Sequence, residues 1–136
     1  MAIVLVVDDD REMAELLRLI LRRYGYDTRL VFAGQDAVQA VQNERPDIIL
    51  LDIMMRDLDG FAVYQRIREI ADIPVIFLTA YDSPENKEKA REIGADGFLG
   101  KLFLRGDVLA RRIQATLRAR QGDPSGLSPP RRELLH

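Results

Sequence analysis

The 136-residue chain contains no cysteine and no tryptophan, and its single histidine, His136, is the last residue. Without thiols there are no disulfides, thiolate metal sites or cysteine nucleophiles. Without an internal imidazole there is no serine–histidine triad and no histidine-based metal centre. Long apolar runs are missing too. None approaches the roughly 18 residues of a membrane-spanning helix, and no charged-then-apolar leader is expected at the start. Neither sign of charge dominates: 20 basic residues stand against 22 acidic ones, for a formal net charge of −2. That balance supplies no field for wrapping nucleic acid or lying on an anionic membrane. The chemistry left is that of carboxylates, hydroxyls and amines, with a hard cation as companion.

What is present is ordinary in bulk and specific in order. Hydrophobic residues make up 47% of the chain and charged residues 31%, enough for one domain with its own core and too short for two of usual size. "AIVLVV" (2–7) reads as a strand buried on both faces. Met13, Leu16, Leu17, Ile20, Leu21 and Tyr24 then repeat at helical spacing up to the glycine of "YGYD". "TRLVFA" (28–33) is less apolar and reads as an edge strand, followed by a short helix over 34–44 with Ala37, Val38 and Val41 inward. "RPDIILLD" (45–52) predicts the central strand, which Pro46 can only precede.

A helix over 61–70 follows, through Phe61, Val63, Tyr64, Ile67 and Ile70, then a strand over 73–80. The next helix, 83–94, has Ser83 as N-cap, Pro84 in its first turn and Gly94 as its stop. A brief strand at 95–100 and a helix from 104 to 120, with Leu109, Ile113, Thr116 and Leu117 inward, complete the series. Because crossovers are right-handed, βα units joined by short connections give a parallel α/β sheet with helices on both faces. The glycine- and proline-rich stretch that starts at Gln121 breaks the pattern. It predicts a domain over 1–121 and a linker or tail over 122–136.

In an open α/β sheet, ligands bind beyond the carboxyl ends of the strands. The first strand delivers Asp8 and Asp9 there, the third Asp52, the fourth Thr79, and the fifth is followed by Lys101. Each has a bland reading alone: Asp10 as a helix cap, a lone aspartate as turn chemistry, Lys101 as a solvated charge. Their convergence on one edge carries the argument. Clustered carboxylates without histidine or cysteine suit a hard divalent cation such as Mg²⁺, which takes further ligands from phosphate oxygens. Asp52 is then a carboxylate nucleophile that forms an acyl phosphate, with Thr79 and Lys101 as donors to phosphoryl oxygens.

The pieces "VVDDD", "PDIILLDIMMRDLDGF", "IPVIFLTA" and "GADGFLGKLF" resemble the response regulator receiver domains of two-component signalling, over residues 3–120. The resemblance implies a flavodoxin-like (βα)5 fold with strand order 2-1-3-4-5. It implies a cytoplasmic phosphoprotein that takes its phosphoryl group on Asp52 from a sensor histidine kinase, with Mg²⁺ or Mn²⁺ as cofactor. Asp8, Asp9, Asp52 and the Met54 carbonyl are the implied metal ligands, Thr79 and Phe98 the switch pair, and Lys101 the partner of the phosphoryl group. Such a domain is not an enzyme on a separate substrate; it catalyses its own phosphorylation and slow dephosphorylation.

Two departures from the family pattern stand out. Leu102 follows the lysine where proline, often cis, is usual. A non-prolyl cis bond costs roughly 2.5–4 kcal/mol, so a trans bond that displaces Lys101 and its loop is expected. Arg56 also stands where proline is usual, leaving that loop less rigid. Met54 and Tyr81, two residues beyond Asp52 and Thr79, flank the implied route of an attacking water, and their bulk predicts a slowly hydrolysing phosphoryl group.

The segments "ENKEKAREIGADGFLG" and "GDVLARRIQATLRAR" resemble the OmpR/PhoB-type winged-helix transcription factors. That likeness implies a phosphorylation-dependent homodimer through the fourth helix, fifth strand and fifth helix, and control of transcription. Lys87 with Asp107 and Asp96 with Arg118 match the pairs of that face in sign, while Arg111 meets Gly97 in place of an acid. DNA contact is expected only through a C-terminal domain outside this chain. Two alternatives stay open: a receiver-like interaction domain independent of phosphorylation, and a phosphatase of the haloacid dehalogenase type.

Overall fold

The computed structural model describes residues 1–121; the expected linker at 122–136 lies outside the described residues. Ten elements alternate: β1 (Ile3–Val7), α1 (Arg11–Arg23), β2 (Asp27–Val31), α2 (Gly34–Asn43), β3 (Ile48–Leu51), α3 (Gly60–Ile70), β4 (Val75–Thr79), α4 (Pro84–Glu92), β5 (Gly97–Gly100) and α5 (Gly106–Arg120). The strands form one parallel sheet in the order β2-β1-β3-β4-β5. This is the flavodoxin-like arrangement the sequence implied.

Burial along the strands follows that order. β3 and β4 are buried at every residue, as sheet centres covered on both faces must be, whereas β2 is only partly buried throughout, as an edge. Leu5, Val7, Ile49, Leu51 and Phe77 pack with Val63, Tyr64 and Ile67 on one face. Val4, Val6, Leu50 and Ile76 pack with Leu17, Leu21, Leu109 and Ile113 on the other. Each such buried aliphatic or aromatic side chain stabilises the fold by about 1.5–3 kcal/mol.

The helices start where their caps stand. Asp10, Asp59 and Ser83 accept the backbone N–H groups of Met13, Ala62 and Asn86 at 3.2, 2.9 and 3.2 Å. α4 stops before Gly94, whose φ of +87° is a left-handed value that favours glycine.

Two inward faces are narrower than their spacing predicts. On α1 the buried line is Ala14, Leu17 and Leu21, while Leu16 and Tyr24 are about half exposed at 50% and 49%. A helix lying against a sheet and one neighbour covers only a stripe, and Leu16 and Tyr24 fall on its flank. Ile70, in the last turn of α3, is likewise exposed.

Candidate functional site

In a parallel sheet every strand delivers its carboxyl end to the same edge, so the residue after each strand is carried there by the backbone. Asp8 follows β1, Asp52 follows β3, Thr79 ends β4 and Lys101 follows β5. Carboxylate oxygens of Asp8, Asp9 and Asp52 lie within 4.8 Å of one another. Lys101 Nζ reaches into this cluster, donating to Asp52 Oδ2 at 3.0 Å and pairing with Asp8 Oδ2 at 2.5 Å. Asp52 Oδ1 accepts from its neighbour Ile53 N–H at 2.8 Å, and Asp8 Oδ1 from Asp10 N–H at 3.0 Å. The Thr79 hydroxyl oxygen accepts from Tyr81 N–H at 3.1 Å, and the Thr79 carbonyl accepts from Lys101 N–H at 2.8 Å. The five residues read from strand ends in the sequence thus share one edge.

Electrostatics sets the character of this edge. Three carboxylates stand against the Lys101 ammonium and the solvent-exposed Arg56 guanidinium, which leaves one negative charge without a partner. Burial raises the Asp8 carboxyl above its ordinary value, against hydrogen bonds from Lys101 and Asp10 that lower it. For Lys101, burial by itself lowers an amine, but the Asp8 hydrogen bond and the charges of Asp8 and Asp52 outweigh it and raise its pKa. Lys101 is therefore a fixed cation. The remaining negative charge, on oxygen donors alone, fits a hard divalent cation of the Mg²⁺ type.

The loop after Lys101 departs from one expectation and meets another. No peptide bond among the described residues is cis, so the Lys101–Leu102 bond is trans. The amine is nevertheless not displaced from the cluster, because the loop absorbs the change further on. Phe103 takes a φ of +60°, an uncommon value for a bulky side chain, and is 99% exposed beside Leu102 at 67%.

Three features of the neighbouring β3–α3 loop escape sequence reasoning. Gly60 lies so close to the acceptor strand that an added Cβ would sit 2.1 Å from the Asp52 carbonyl oxygen. Only glycine fits there, and it lets α3 start directly against the end of β3; the glycine of "RDLDG" is the signal that was available. Asp57 caps α2 from a distance, accepting Gly34 and Gln35 N–H at 3.0 and 2.9 Å, where the N-cap residue Ala33 has no side chain for the task. Arg56 donates to Asp9.

Residues 4–114 match the family model of the response regulator receiver domain. The chain belongs to that family. Solved structures agree. The receiver domain of Francisella response regulator 1452 is 34% identical, with a TM-score of 0.80, over 87% of this chain and 98% of that one. The BeF3-activated N-terminal receiver domain of Klebsiella pneumoniae RstA is 30% identical, with a TM-score of 0.79, over 85% and 98%. The N-terminal domain of a response regulator/sensory box/GGDEF three-domain protein from Carboxydothermus hydrogenoformans is 33% identical, with a TM-score of 0.79, over 88% and 96%. Family membership leaves the haloacid dehalogenase alternative without support.

The surface expected for dimerisation is formed by α4, β5 and α5. A groove of about 680 Å³ runs there, lined by Lys87, Arg91, Phe98, Arg112 and Thr116 among others. Phe98 is half-buried against the core. Lys87, Arg111 and Arg118 are exposed. Asp107 is tied within the chain to Arg105 and Arg111 at 3.0 and 3.4 Å. Asp96, expected on this surface, is buried at 4% exposure and engaged by Arg120 at 2.8 Å. Among the described residues no helix is long and apolar enough to cross a membrane.

Proposed function

We propose that this receiver domain accepts a phosphoryl group on Asp52 from a sensor histidine kinase and passes the change to its α4–β5–α5 surface. The observation that carries this reading is the single lysine shared between Asp8 and Asp52 inside a cluster of three carboxylates. An Asp52 oxygen attacks phosphorus, the new O–P bond replaces the P–N bond to the kinase imidazole, and the imidazole, already protonated on its other ring nitrogen, takes the P–N electron pair and leaves neutral. Asp8, Asp9, Asp52 and the Met54 carbonyl would hold Mg²⁺, whose charge offsets that of the arriving phosphoryl oxygens. Lys101 exchanges one Asp52 oxygen for a phosphoryl oxygen, and Thr79 turns its hydroxyl from the Tyr81 amide toward the same group. Phe98, half-buried beside β4, follows the space that Thr79 vacates.

The output proposed is transcriptional, through a dimer of the OmpR/PhoB type, supported by the sign pattern of Lys87, Asp107, Arg111 and Arg118. Lys87 of one copy meets Asp107 of the next if Asp107 gives up Arg105. Arg118 finds Asp96 only by displacing Arg120, so that pair contributes less than its sequence match implies. Met54 and Tyr81, each about half exposed at 50% and 55%, slow the approach of water to the acyl phosphate.

Intact mass and sedimentation test this together, with Mg²⁺ and a small phosphodonor, on wild type and Asp52→Asn. A gain of one phosphoryl group in wild type alone, with a shift to dimer, is expected. No gain in wild type would turn the reading to a receiver that works without phosphorylation.

A further inference from the structure

The metal-ligand reading of Asp8, Asp9 and Asp52, on which this inference rests, leaves one contact unexplained. Arg56 donates twice to Asp9 Oδ2, through its backbone N–H at 2.9 Å and its Nε at 3.4 Å. Asp9 is the most accessible of the three carboxylates, with a side chain 20% exposed against 3% for Asp8 and 7% for Asp52. An ion arriving from solvent meets it first. Lys101 is buried and shared between two carboxylates, but the Arg56 side chain is 90% exposed and free to swing into water.

We propose that Arg56 sets the divalent-cation affinity of this site, its guanidinium being a resident counter-cation that an incoming ion must displace from Asp9. The two contacts differ in what they do. The amide orients the carboxylate and is compatible with a bound ion, since a carboxylate oxygen has two lone-pair directions. It exists only because residue 56 is not proline. The guanidinium carries a permanent charge, and a divalent ion on the same carboxylate is repelled by it. Exposed ion pairs are weak, so the side chain can be driven off, and its displacement lowers the apparent affinity. Arg56 is thus a tuning residue that acts through Asp9.

Calorimetric titration of the whole chain with Mg²⁺, repeated with Mn²⁺ and read by loss of the free-ion spin resonance signal, tests this without any phosphorylation. At low salt R56A and R56Q, which keep the amide and lose the charge, should both bind about three- to tenfold more tightly than wild type. That gain should shrink as salt rises to about 0.5 M. Unchanged or weaker binding in both variants, with D9N abolishing binding, would overturn the role of Arg56 and leave the cation site standing. No binding in any variant would overturn the cation site and the proposal with it.

Discussion

Two buried carboxylates lie at opposite edges of this sheet and are treated in opposite ways. Asp96 precedes β5 at the amino edge and is 4% exposed; Asp8 follows β1 at the carboxyl edge and is 2% exposed. Asp96 accepts from Arg120 Nε and Nη2 at 2.8 and 3.2 Å and from Val75 N–H at 3.1 Å. Arg120 continues to Asp72 at 3.1 Å, and Asp72 pairs with Arg68 at 2.6 Å. Acids and guanidinium groups balance, and the last turn of α5 is fastened to the sheet. At the carboxyl edge Asp8 and Asp52 share one ammonium, and the third carboxylate, Asp9, has only the solvent-exposed Arg56 side chain, so negative charge is left over. Burial of an acid does not by itself mark a functional site, since the amino edge has it too. Unbalanced charge does, because only a further cation or a charge-rearranging reaction relieves it.

Removing the balancing partner at the amino edge should have the largest effect on stability. Arg120→Ala strands the Asp96 carboxylate and is expected to cost about 3 kcal/mol in urea denaturation; a change within error of zero would break the comparison. At the carboxyl edge the sign should reverse. Asp8→Asn keeps an acceptor oxygen and removes a buried charge, so it should gain on the order of 1 kcal/mol at neutral pH while losing divalent-cation binding. The pH dependence follows from the raised pKa. A carboxyl raised in the folded state contributes stability below its unfolded pKa and loses it as pH rises through the folded value. The advantage of Asp8→Asn should therefore be missing in acid and grow toward neutrality. If the gain were the same at every pH, charge would not be its cause.

How much of this was readable in the sequence depends on whether a feature is local or long-range. Alternation of apolar runs and amphipathic stretches located all ten elements, and the residues after the strands placed Asp8, Asp52, Thr79 and Lys101 on one edge, because strand direction alone decides it. The clamp of Asp96 by Arg120 was not readable. Its members are 24 positions apart, and the sign of Asp96 suited an intermolecular partner equally well. The exposure of Leu16 and Tyr24 was missed for a related reason: helical spacing names a face, while the neighbours of α1 decide how much of it is covered. Lys101 shows the opposite error. Local reasoning about a trans bond before Leu102 predicted a displaced lysine, yet buried charge holds the amine at Asp52 and the backbone yields at Phe103.

Asp57 offers a smaller and sharper test, because it is a carboxylate satisfied without any cation. It is exposed on the β3–α3 loop and accepts Gln35 and Gly34 N–H at the start of α2. The Gln35 amide holds its pKa below the ordinary value against the opposing effect of burial, and the Gly34 amide adds to the lowering. A carboxyl lowered in the folded state contributes stability above its unfolded pKa and loses it as pH falls through the folded value. Asp57→Ala should therefore cost about 1 kcal/mol near neutral pH, and the gap to wild type should close in acid, as for Asp8→Asn but with a loss in place of a gain. Asp57→Asn keeps an acceptor and gives up only the charge facing the helix dipole, so it should lose about half as much. Equal losses for both substitutions would assign the effect to charge alone. A loss confined to Asp57→Ala would assign it to the hydrogen bonds, and the distinction between satisfied and unbalanced carboxylates would then rest on donors as much as on charge.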